Sequence, residues 1–140
     1  MKKTNMLKKN YEFKYVFSKG KYYGGEIIEI FLLKNNPKNN KKIFSEKSSK
    51  FVAEVDQKAD FPNKIGIAIS KKTGKSVVRN KIKRLIRENY RQAENNIKKG
   101  NTIVFLFKKN IDIKKATYYN IKKDMENIFK KANILISEKI

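Results

Sequence analysis

A chain of 140 residues with 39% hydrophobic content is the size of one compact domain and can bury a core without disulfides or a structural metal. It carries 35 Lys plus Arg against 13 Asp plus Glu, a formal charge of +22, and has neither His nor Cys. That composition excludes disulfides, thiolate or imidazole metal sites and Cys or His catalysis, while the charge demands a polyanionic partner, nucleic acid ahead of a membrane surface.

The amino-terminal stretch Met1 to Lys9 is charged and no apolar segment follows it, so the sequence predicts a soluble, unexported, cytoplasmic protein. From about Lys8 to Ser18 apolar residues are dense, and Phe13 and Phe17 stand four apart on one helical face. A short helix closed by Gly20 is predicted there. Gly24-Gly25 then precedes the β-branched run Ile27 to Leu33, a strand. Residues 35–62 are rich in Lys, Asn and Ser and predict an extended loop or hairpin insertion, with Phe51 to Val55 as a short strand inside it. Lys64 to Ser70 alternates, with Ile65, Ile67 and Ile69 facing one way and Gly66, Ala68 and Ser70 the other. A face of small residues suits close approach by a helix or by a ligand.

Ser76 can cap the next helix, expected to run to about Lys99 and end at Gly100. On that helix Val78, Ile82, Leu85, Ile86, Tyr90, Ala93 and Ile97 share one arc, and Asn80, Lys83, Arg84, Arg87 and Arg91 the arc beside it. All four arginines of the chain lie in this segment. Lysine is a point charge, whereas arginine presents a planar fork that holds a phosphate with two hydrogen bonds, so the cluster reads as geometric recognition. Glu88 can pair with Arg84 at four residues' spacing. Thr102 to Phe107 is continuously apolar, a buried strand. Asp112 should open a last helix to about Ala132, packed through Ala116, Tyr119, Met125, Ile128 and Phe129. The strand-helix-strand unit around the arginines implies a parallel pair and, by default, a right-handed crossover. No carboxylates pair as a metal site: Asp56 and Asp60 fall in a loop, and Asp124 and Glu126 diverge on a helix.

The segment from Ile69 to Glu88 closely resembles the signature of the bacterial ribonuclease P protein subunit, whose helical part reads Arg-Asn-Arg, an apolar residue, Lys and Arg. Arg79, Asn80, Lys83, Arg84 and Arg87 match it; Lys81 keeps the charge of the third position but loses the fork. Leu7 to Phe17 resembles the family's first helix, and only about 35–62, where this chain is longer, falls outside the likeness.

The resemblance implies an α+β fold, a single-domain α/β sandwich over 1–140 with a mixed four-stranded sheet and the element order αβββαβα. It also implies a left-handed crossover around the signature helix in place of the default, a topology shared with a ribosomal protein domain. It further implies that the partners are the catalytic RNA subunit and precursor tRNA, with no membrane and no DNA. The chemistry and its Mg²⁺ would belong to the RNA, leaving no catalytic residue in the protein. Arg79, Asn80, Lys81, Lys83, Arg84 and Arg87 would bind that RNA. Phe13, Phe17 and Phe31, with Ser70, Lys71 and Lys72, would bind the precursor's 5′ leader by stacking and by phosphate contacts. Read from the residues alone, the three aromatics are core and the two lysines solvated surface. Asn80 could instead brace the neighbouring loop, and Glu29, on the face of Phe31, is awkward beside a phosphate backbone. The alternative function is a ribosomal-type structural RNA binder, which would not prefer precursor over mature tRNA.

Overall fold

The structure, a computed structural model, describes residues 4–34 and 62–136. In chain order the elements are β1 (Thr4–Met6), α1 (Asn10–Lys19), β2 (Lys21–Gly24), β3 (Ile28–Lys34), β4 (Asn63–Ala68), α2 (Ser76–Ala93), β5 (Asn101–Phe107) and α3 (Tyr118–Ala132). The strands form one mixed sheet in the order β1-β4-β5-β3-β2, with β4 parallel to β1 and β5, and β3 antiparallel to β5 and β2. The expected α+β class and the parallel pair joined by the arginine-bearing helix are both present. Among the described residues, however, the sheet has five strands where four were expected.

Two of the five, β1 and β2, stand where the sequence predicts no strand; both are short and carry polar or ambiguous signals. Thr4 of β1 is buried by a polar contact rather than an apolar one: its hydroxyl donates to Glu94 Oε2 (2.5 Å) and lies 2.9 Å from the buried Tyr90 hydroxyl. The expected strand at Phe51 to Val55 and nearly all of the insertion lie outside the described residues.

The sheet's two faces are covered unequally. On one face α2 and α3 pack a continuous core in which Tyr90, Phe105 and Phe129 stack edge to face, with Ile28, Ile30, Ile65, Ile82, Ile86 and Ile103 fully enclosed. Each such side chain contributes about 1.5–3 kcal/mol on burial. On the other face α1 seals only a small cluster of Leu7, Val16, Leu33 and Val104. Among the described residues nothing further covers the remainder of that face, which stays partly open.

Several boundaries depart from expectation. α2 stops at Ala93, not Lys99, because Glu94–Asn96 tightens into a 3₁₀ turn and Ile97 bridges to Leu135. Its N-cap is Lys75, while the Ser76 hydroxyl accepts from Arg79. Asp112 caps only the 3₁₀ turn Ile113–Lys115; α3 begins at Tyr118, capped by the Thr117 hydroxyl, which accepts from the Asn120 amide. Tyr119, expected to pack, is instead 63% exposed, because it lies on the opposite side of α3 from the buried face of Ile121, Met125, Ile128 and Phe129.

Asp124 of α3 has a role that its spacing from Glu126 hid. It is buried, and its carboxylate accepts from the backbone N–H groups of Glu26 (2.7 Å), Ile27 (2.9 Å) and Ile28 (2.8 Å). Those donors open β3 and would otherwise be orphaned.

Candidate nucleic-acid interface

The open side of the sheet is built from residues that alternate away from the main core. Two cross-strand rows run over it, Gly66, Val104, Phe31 and Tyr22 in one, Ala68, Leu106, Glu29 and Gly24 in the next. Phe13 of α1 lies half-buried against Gly66, where a Cβ would sit 2.5 Å from its ring. The small-residue face of β4 thus serves close helix packing at this position.

One turn further along α1, Phe17 projects from the minor core with 36% of its surface exposed. Its ring meets Phe31 edge to face at 5.2 Å between centroids, and Phe31 meets Tyr22 in the same manner at 5.5 Å. Phe17, Phe31 and Tyr22 therefore form a continuous aromatic row from helix to sheet edge. Tyr22, 48% exposed, was not among the expected site residues, since its place beside Phe31 depends on the unanticipated pairing of β2 with β3. Of the three expected aromatics, Phe17 is the most exposed, Phe31 is half-buried within the row, and Phe13 is closest to a packing role.

Ser70, Lys71 and Lys72 are exposed where β4 ends. The Ser70 hydroxyl accepts from the Lys72 amide at 3.2 Å, holding the 3₁₀ turn Lys71–Thr73. Ser70 and Lys72 line a groove of about 550 Å³ with Lys108, Lys109 and Asn110, which follow β5. Because β4 and β5 are parallel, both loops emerge at the same end of the sheet, a common place for ligands in α/β folds. Lys108 and Lys109 join the site by this topology; in sequence they only mark the end of a strand.

The second surface is α2. Ile82, Leu85, Ile86, Asn89 and Tyr90 face inward, which leaves Asn80, Lys81, Arg84, Arg87 and Arg91 exposed, with Lys83 half-buried. Arg84, Arg87, Glu88 and Arg91 line a shallow groove of about 210 Å³. Arg79 stands apart. Its Nε donates to the Gly74 carbonyl and its Nη2 to the Ser76 hydroxyl, both at 3.1 Å, so the guanidinium braces the loop entering the helix.

Two titratable groups near these surfaces are perturbed. Burial pushes the Lys64 ammonium down to about 7 from 10.5, opposed by the charge of Glu12. Tyr22 is raised, first by its hydrogen bond to Glu29, then by desolvation and by the Glu29 charge. Among the described residues no three of His, Cys, Asp or Glu gather as a metal site, and no helix is long and apolar enough to cross a membrane.

Comparison with known proteins identifies the family. The family model described as Ribonuclease P matches residues 1–133. The ribonuclease P protein component of Clostridium perfringens is 35% identical over 134 residues, 96% of this chain and 93% of that protein. The protein of the same name from Clostridium botulinum is 37% identical over 132 residues, 94% and 91% of the two chains. Among solved structures, the RNase P protein of Staphylococcus aureus superposes with a TM-score of 0.67 at 26% identity, covering 92% of this chain and 95% of that one. The RNase P protein of Thermotoga maritima shares the fold with a TM-score of 0.67 at 23% identity, over 91% and 96%. The chain belongs to the ribonuclease P protein component family, RNA-binding subunits of the endoribonuclease that matures tRNA 5′ ends.

Proposed function

We propose that this chain binds the single-stranded 5′ leader of precursor tRNA on the open sheet face, while α2 binds the ribonuclease P RNA that carries out cleavage. The observation that carries the reading is the row Phe17, Phe31 and Tyr22, stacked at 5.2 and 5.5 Å and partly exposed. Aromatic rings left uncovered on a strongly basic domain offer each unpaired base a stacking platform worth about 1–3 kcal/mol, largely without regard to sequence. Ser70, Lys71 and Lys72, with Lys108 and Lys109, supply donors for the leader's phosphates at the adjoining end of the sheet. Arg84, Arg87 and Arg91 offer forked donors to folded RNA, joined by Asn80, Lys81 and Lys83, and Arg79 shapes the loop that presents them. Mg²⁺ in the complex is held by RNA phosphates, and the complex works in the cytoplasm, where precursors are made.

Phe17→Ala tests the leader assignment. Affinity of the reconstituted holoenzyme for precursor tRNA should fall by about 5- to 100-fold, the loss of one stacking contact, with affinity for mature tRNA unchanged. An equal loss for both RNAs would show that Phe17 acts through packing.

A further inference from the structure

We propose that Glu29 reads a base edge: at the leader nucleotide stacked on Phe31 it selects a base with a Watson–Crick amino group, guanine above all, and rejects uracil. The proposal rests on the leader reading above and adds to it a residue that sets specificity.

Glu29 lies two residues before Phe31 on β3 and shares its side of the sheet, in the cross-strand row between the aromatics and the end carrying Ser70 and Lys72. A strand running from the aromatic row toward those lysines passes this carboxylate. Phosphates are repelled by it, so the backbone keeps to the basic margin and a base edge turns inward. The carboxylate is held in place, because the Tyr22 hydroxyl donates to Glu29 Oε2. Gly24 makes this possible: a Cβ there would stand 2.6 Å from the Tyr22 oxygen, so the ring folds across glycine to reach Glu29. Oε1 keeps its full acceptor capacity and Oε2 a further lone pair. Guanine offers two parallel donors, N1–H and the N2 amine, matched to a carboxylate. Cytosine and adenine offer one amine each, and uracil sets its single N–H between two carbonyl oxygens that the carboxylate repels.

The test uses holoenzyme reconstituted from this chain and a bacterial ribonuclease P RNA. Equilibrium affinities are measured for precursor tRNAs whose leader positions are set in turn to G, A, C or U, with mature tRNA alongside. At one leader position the wild type should favour guanine over uracil by about tenfold. Glu29→Gln should bring the two within about twofold while precursor is still preferred to mature tRNA. Tyr22→Phe, which keeps the ring but frees the carboxylate, should narrow the discrimination between guanine and uracil. Equal affinity for all bases at every position, or discrimination that survives Glu29→Gln, overturns the proposal while leaving leader binding intact. Wild-type holoenzyme that binds precursor no better than mature tRNA overturns the leader reading and this proposal together.

Discussion

Residue identity carries most of the recognition in this chain, and some of it is visible without a structure. The arginines announce themselves because guanidinium is confined to one segment of a lysine-rich protein. Arg84→Ala should weaken association with the ribonuclease P RNA and reduce the slope of log affinity against log salt by about one; an unchanged slope would rule out a phosphate contact at that residue. Lys64 could not be read in this way, since its burial is made by α1 and neighbouring strands from distant parts of the chain. Its proton is held in the unfolded chain up to about 10.5 but in the folded chain only to about 7. The cost is therefore present in full below pH 7 and fades as pH rises toward 10.5. Lys64→Met should stabilise the protein by roughly 1–3 kcal/mol at pH 6, with the gain shrinking at alkaline pH. Urea denaturation across that range checks it, and a pH-independent difference would contradict it.

At the scale of elements, periodicity located the long pieces: α1, β3, β4, α2 and β5 lie where alternation or helical spacing puts them. It failed where stabilisation is polar or remote. β1 is fixed by Thr4 through Glu94 and Tyr90, and β2 by its partner β3, so neither has an apolar pattern of its own. Missing β2 also hid Tyr22 and thereby a third of the aromatic row. Asp124 is the clearest case of one element organising another, since α3 supplies the acceptor for three successive N–H groups at the start of β3. Asp124→Ala should destabilise the fold by roughly 3–5 kcal/mol, because buried donors lose a charged acceptor. A loss under about 1 kcal/mol in chemical denaturation would mean that other acceptors replace it.

For the whole molecule, the unequal covering of the sheet among the described residues is the property on which the proposed leader binding depends. Among the described residues two helices seal one face into a core, a single short helix leaves the other with partly exposed rings, and a lysine-lined groove lies where β4 and β5 end. A charge of +22 suits such a body to life against RNA, where counterion release drives association. Family membership excludes the ribosomal-type alternative by placing the chain in an RNA-processing enzyme. The decisive measurement is cleavage of a precursor tRNA by a bacterial ribonuclease P RNA at low Mg²⁺, with and without this chain. Faster cleavage at the mature 5′ end that the chain cannot produce alone is the predicted result. Cleavage by the chain without the RNA, or binding to both RNAs with no gain in cleavage, would contradict it.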